Sequence, residues 1–131
     1  AAIWAKFIRS AAFSAATATT RSRVGRILAN PETSALLRQL VEEGAAVAAA
    51  AGHAMDEDFV SRTMALYASL APETRASMAE DLEHGRRLEV EFISGRIHHL
   101  GLDHGVATPA HTMAYRSLLL HAGGRDAERP S

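Results

Sequence analysis

The apolar positions of the chain recur with helical spacing from end to end, and no stretch alternates as a half-buried strand does. The first segment, Ile3 to about Thr19, sets Trp4, Ile8, Ala11, Ala15 and Ala18 on one face. Beside them Lys6, Ser10, Ser14 and Thr17 form a narrow polar stripe at i, i+4, i+8 and i+11. Such a stripe lines a wet cavity or a ligand site, or else its hydroxyls bond back to their own backbone carbonyls. Arg21 to Leu28 reads as a turn and a short element pivoting on Gly25. Asn30-Pro31-Glu32 then starts a helix, with Asn as cap, Pro at the first position and an acid in the first turn. That helix carries Leu36, Leu37, Leu40, Val41 and Val47 and stops at Gly52. Its end, AAVAAAA, predicts a close helix crossing.

Asp56 is the expected cap of the next helix, with Phe59, Thr63, Leu66, Tyr67 and Leu70 inward. Pro72 is expected to open another that reaches His84, where Gly85 supplies a left-handed stop. A further helix is predicted over Leu88 to Asp103, its stripe Val90, Ile93, Ile97 and Leu100. At 100° per residue Glu89 lies at the edge of that stripe with Ile93, Arg96 and Leu100. It also falls in the first turn, where the helix dipole favours a carboxylate. Thr108-Pro109 start the last helix, which carries Met113, Leu118 and Leu119 and closes at Gly123-Gly124. The polar residues 125–131 are expected to be a disordered tail. The class is all-α, with one helical domain over residues 1–124.

Composition narrows the function classes. A chain of 131 residues, 47% hydrophobic and with net charge −1, suits one soluble domain. No apolar run is long enough for a bilayer. Without cysteine there is no disulfide or thiolate chemistry, which fits the cytoplasm. No Gly-x-Gly-x-x-Gly occurs, so the chain has no dinucleotide fingerprint. It opens without Met, inside a helical pattern, as a piece of a longer protein would. Residues 1–30 hold Lys6, Arg9, Arg21, Arg23 and Arg26 and no acid. A transit peptide has that composition, and so does a nucleic-acid surface. The near-neutral balance and 5% aromatic content argue against nucleic acid. A positive rim drawing anionic small molecules and a solvated face are the remaining readings.

Lys6 stands out because it is the only lysine beside thirteen arginines. Where charge alone was needed the sequence used arginine, which tips the stripe toward a ligand site; the plain alternative is a lysine snorkelling from a helix start. His98, His99, Asp103 and His104 cluster, but only His99 and Asp103 share a helix face. A metal needs three or four convergent ligands, so solvated helix-end histidines are the better reading and no metal is assigned.

Five short motifs occur in order: Trp4-Ala5-Lys6, Asn30-Pro31, Ser77-Met78 with Asp81, Glu89-Val90-Glu91-Phe92-Ile93-Ser94-Gly95, and Gly105-Val106-Ala107-Thr108-Pro109. Together they resemble the C-terminal domain of the ketopantoate reductase (2-dehydropantoate 2-reductase) family, over roughly residues 3 to 122. The family's W-x-K motif also argues against the transit-peptide reading. The resemblance implies a helical bundle like the C-terminal domain of 6-phosphogluconate dehydrogenase, serving substrate binding and dimerisation. It implies NADPH-dependent reduction of a 2-keto acid, in the family ketopantoate on the route to pantothenate. The cofactor would be held mainly by an N-terminal Rossmann domain missing from this chain, so the fragment alone would be inactive. Partners implied are the keto acid, that domain and a second copy of the chain, with neither nucleic acid nor membrane.

By the same resemblance Lys6 matches the family's general acid, Glu89 the glutamate on the cofactor side, and Ser77 the serine that binds substrate. Ser10 and Ser14 stand where the family has asparagines, and Val24 where it has a third. These departures leave the reaction type in place and open the question of substrate. The alternative is a non-catalytic helical binding or dimerisation module that kept the fold and lost the chemistry.

Overall fold

The computed structural model describes residues 2–88 and 93–124. Among them every regular element is a helix: α1 (Ala2–Thr20), α2 (Val24–Ala29), α3 (Pro31–Ala50), α4 (Phe59–Ser69), α5 (Ser77–Glu83), α6 (Ser94–His104) and α7 (Pro109–Leu118), followed by a 3-10 turn at Leu119–His121. The tail 125–131 and the segment 89–92 lie outside the described residues, and with them Glu89 and Val90.

The centre of the fold is the crossing of α1 on α3, the largest contact between any two helices. Ile8, Ala11, Ala12, Ala15 and Ala16 on α1 are fully buried, as are Leu37, Val41, Val47 and Ala48 on α3. Alanines on both sides let the backbones approach, and Gly44 completes the fit: a Cβ there would meet Ile8 Cγ2 at 2.8 Å. Helix α3 begins as its sequence predicts. The Asn30 side chain accepts from Glu32 N at 2.9 Å and Thr33 N at 3.3 Å, with Pro31 at the first position. The chain leaves α3 through Gly52, at φ +91. Phe59, Thr63 and Tyr67 bury one side of α4, and Tyr67 Oη donates to the Arg9 carbonyl at 2.6 Å. Burial pushes the Tyr67 phenol above its ordinary pKa.

The structure corrects several boundaries. Asp58, not Asp56, precedes α4, and neither caps it through its side chain; both carboxylates face Arg62 instead, at 3.6 and 3.7 Å. Leu66, expected inward, is 47% exposed. Pro72 does not open α5, which starts at Ser77. The carbonyls of Pro72 and Thr74 accept from Gly25 N and Val24 N at 2.8 and 2.9 Å, satisfying the first amides of α2. A Cβ on Gly25 would sit 2.6 Å from Pro72 Cβ, so Gly25 serves as a contact surface for this loop. Residues 71–76 make a turn, with Thr74 N donating to the Ala71 carbonyl at 2.9 Å, and dock on α2 rather than winding into helix.

Leu88 is likewise not a helix start. Its amide donates to the Ala122 carbonyl at 2.9 Å, tying it to the C-terminal turn, and α6 begins at Ser94. Met113 and Leu119, expected in the core, are 72% and 40% exposed, whereas Leu118 is buried.

Candidate functional site

Helix α1 carries the predicted polar stripe, and the stripe runs from solvent into the protein. Lys6 and Ser10 are exposed, Ser14 is 7% exposed and Thr17 fully buried. Thr17 Oγ1 donates to the Phe13 carbonyl at 2.9 Å and accepts from Ala76 N at 3.3 Å. Thr19 and Thr20 also bond back to carbonyls four residues earlier, those of Ala15 and Ala16. The back-bonding expected of a plain Ser/Thr stripe therefore occurs at the C-terminal end of α1. It does not extend to Lys6, Ser10 or Ser14, which make no side-chain hydrogen bond or ion pair to another described residue.

The Thr17–Ala76 bond has a second consequence. Ala76 immediately precedes α5, so the bond pins the start of that helix against the deep end of the stripe. Ser77, the first residue of α5, is exposed beside it, and its hydroxyl is equally uncommitted. Residues 71 positions apart, Lys6 and Ser77, are thus carried by two helices that the fold clamps together. The other members of the Ser77 motif have structural duties. Met78 is buried in a cluster with Ala18, Leu88 and Leu118. Asp81 accepts from Arg86 N through its carbonyl at 2.8 Å and faces the Arg86 guanidinium at 3.3 Å. This closes the turn at Gly85, φ +67. Glu89 lies outside the described residues. Val24 is buried in the core at 1% exposure, away from solvent.

Sequence reasoning missed a buried polar network behind these helices. Glu43, on the apolar side of α3, is 7% exposed and receives three N–H groups. Its Oε1 accepts from His111 N and its Oε2 from Ala110 N and Gln39 Nε2, each at 2.9 Å. Ala110 and His111 are the second and third residues of α7. Glu43 is therefore the acid at that helix's N-terminus, supplied from α3, while the preceding Thr108 makes no cap and shares its hydroxyl with Thr112. His111 is fully buried. Its Nε2 lies 2.9 Å from the Leu40 carbonyl, which can only accept, so Nε2 holds the proton. Nδ1 then accepts from Ser94 Oγ at 3.1 Å. Burial holds His111 below the ordinary histidine pKa, which favours this neutral form. The network fixes Ser94-Gly95, the end of the Glu89 motif, to α3 and α7. The only sequence hint was a glutamate set among Leu40, Val41, Gly44 and Val47.

His98 is also internal, 2.7 Å from Thr112 Oγ1 and stacked on Tyr115 at 5.4 Å. It is 8% exposed, so the expectation of a solvated histidine there is corrected. Among the described residues no three His, Asp or Glu side chains converge as a metal site would require.

Comparison with known proteins places this arrangement. The family model described as ketopantoate reductase PanE/ApbA, C-terminal, matches residues 1–122. The 2-dehydropantoate 2-reductase of Archaeoglobus fulgidus is 38% identical over 104 residues, which is 79% of this chain and 34% of that protein. That of Halobacterium salinarum is 33% identical over 108 residues, 82% of this chain and 35% of that one. The chain spans about a third of the length of these relatives. Among solved structures, a ketopantoate reductase from Staphylococcus aureus, described as dimeric, superposes with a TM-score of 0.86 at 35% identity, over 92% of this chain and 42% of that one. The chain belongs to the ketopantoate reductase family and corresponds to its helical C-terminal domain.

Proposed function

We propose that this chain is the substrate-side domain of an NADPH-dependent 2-keto acid reductase, acting on ketopantoate or a related 2-keto acid. The observation that carries the reading is the open end of the α1 stripe. Lys6, Ser10 and Ser14 make no side-chain hydrogen bond or ion pair to another described residue, and the Thr17–Ala76 bond sets Ser77 at the deep end of the same stripe. The relatives are named for reduction of 2-dehydropantoate.

The chemistry follows from charge. Adding hydride to a ketone builds negative charge on its oxygen, and a placed ammonium stabilises that charge and delivers the proton. Lys6 is suited to this because no carboxylate among the described residues neutralises it. Serine hydroxyls donate to the substrate's carboxylate and can donate to or accept from polar groups of its side chain. NADPH, when bound, supplies the hydride, and an upstream nucleotide-binding domain would hold its phosphates, since this sequence has no glycine-rich phosphate loop. Glu89 is assigned to the cofactor side only by its match to the family's glutamate. A cytoplasmic dimer is part of the reading, as one structural relative is described as dimeric.

Ser10 and Ser14 are shorter than asparagine and offer fewer outward hydrogen bonds, and Val24 is withdrawn into the core. We therefore read the parent enzyme as accepting 2-keto acids bulkier than ketopantoate. Steady-state kinetics of the full-length parent, on ketopantoate and on bulkier 2-keto acids, test both points. Lys6→Ala should lower kcat by about 10²–10⁴-fold, with little change in cofactor affinity, and Lys6→Arg should not rescue it. Undiminished turnover in Lys6→Ala would favour the non-catalytic module instead. A marked preference for ketopantoate would refute the substrate reading alone.

A further inference from the structure

Helix α1 ends on a residue whose backbone is unusual. Arg21 has φ +52, alone among the described non-glycine residues in having a positive φ. A left-handed residue after a helix is ordinarily glycine, because a Cβ crowds the neighbouring carbonyl there. An arginine kept in that conformation points to a use for its side chain.

The side chain stands on the wall shared by two hollows. One, of about 390 Å³, lies between the end of α1 and α5 and is lined by Thr17, Arg21, Arg23, Arg75 and Glu83 among others. The other, of about 210 Å³, continues past Arg21 to Gly85 and Arg86. Three guanidinium groups line the larger hollow against one carboxylate. Glu83 is already engaged by Arg75 Nη1, and Arg75 Nε binds Glu80 at 2.8 Å, so Arg75 is held in place with Nη2 still uncommitted. Its side chain is 12% exposed. Arg23 is steadied by one bond, from Nη1 to the Glu73 carbonyl at 2.9 Å. Arg21 makes no side-chain hydrogen bond or ion pair to another described residue. Fixed forks around an unpaired one are the arrangement that receives a tetrahedral oxyanion.

This hollow begins where the polar stripe of α1 ends, with Thr17 on its wall, and lies at the far end of the helix from Lys6. Thr20 lies fourteen residues beyond Lys6 on one straight helix, or about 21 Å at 1.5 Å per residue.

We propose that the hollow beyond the C-terminus of α1 is a binding site for the phosphate group of a small molecule, with Arg21, Arg23 and Arg75 as its ligands. It is independent of the reductase reading. Calorimetric titration of the 131-residue chain with inorganic phosphate, at constant ionic strength set with chloride, tests it. The expected result is saturable binding with a millimolar or tighter dissociation constant, weakened about tenfold or more in Arg21→Gly, the loss of one charge-assisted contact. Arg21→Gly suits the left-handed position, so its melting temperature without phosphate should equal or exceed that of the wild type. Arg23→Gln, which leaves the left-handed turn untouched, should weaken binding as well. Absence of saturable binding by the wild type, or equal affinity in both variants, would overturn the proposal.

Discussion

Replacing Glu43 with glutamine measures how much of the fold depends on one remote carboxylate. The change is nearly isosteric, so packing against α3 and α7 is kept. The carboxylate accepts three N–H groups, from Ala110, His111 and Gln39. A glutamine has one acceptor oxygen, and its amide nitrogen would face another donor. At least one buried amide of α7 then loses a charged partner, a loss of about 1.5–3 kcal/mol. Removing the negative charge from the helix N-terminus adds about 0.3–1 kcal/mol. The sum is roughly 2–4 kcal/mol, a large share of the 5–15 kcal/mol typical of a domain. Urea denaturation followed by far-UV circular dichroism reads this directly, with an unchanged m-value showing that the same surface unfolds. Gln39→Ala, which removes only the exposed donor, should cost less than about 1 kcal/mol. A loss below about 1 kcal/mol in Glu43→Gln would refute the view that Glu43 secures α7.

Two further outcomes are expected. Gly44→Ala places a methyl 2.8 Å from Ile8 Cγ2 at the tightest part of the α1–α3 crossing. It should destabilise by about 1–3 kcal/mol in the same denaturation assay, despite alanine's better helix propensity; a stabilised variant would show that the crossing has slack. For His111 the folded pKa is depressed by burial, while the unfolded side chain titrates near about 6.5. The unfolded state therefore binds more protons in that range, and the neutral imidazole's contribution is complete above the unfolded value and lost as pH falls below it. Denaturation midpoints between pH 7.5 and 5 should fall with pH, and His111→Gln should flatten that slope.

The legible parts of the sequence were those decided by near neighbours. The start of α3 is settled within four residues by Asn30, Pro31 and the amides of Glu32 and Thr33. The α1 stripe follows from helical period alone, which is why Lys6, Ser10, Ser14 and Thr17 were placed together before any fold was known. Long-range contacts defeated the same reasoning. Pro72 carries a good local start signal, yet its carbonyl is engaged by Gly25, 47 positions away, and the helix waits until Ser77. The Glu43–His111 pair spans 68 positions, and nothing local at either residue names the other. That Thr17 would be tied to Ala76 was equally hidden, although it sets where Ser77 stands relative to the stripe.

The docking of residues 71–76 on α2 bears on the order in which the molecule assembles. The first turn of a helix leaves amides that its own carbonyls cannot reach, and α2 is only six residues long. Val24 and Gly25 find their acceptors only when Thr74 and Pro72 arrive. Helices α1 and α3 can wind from their own local contacts, whereas the first amides of α2 gain these partners only once the loop after α4 has docked. In hydrogen exchange, the amides of Val24 and Gly25 should therefore open together with the 71–76 loop rather than with the flanking helices. One short helix would then report the closing event that joins the two halves of the chain.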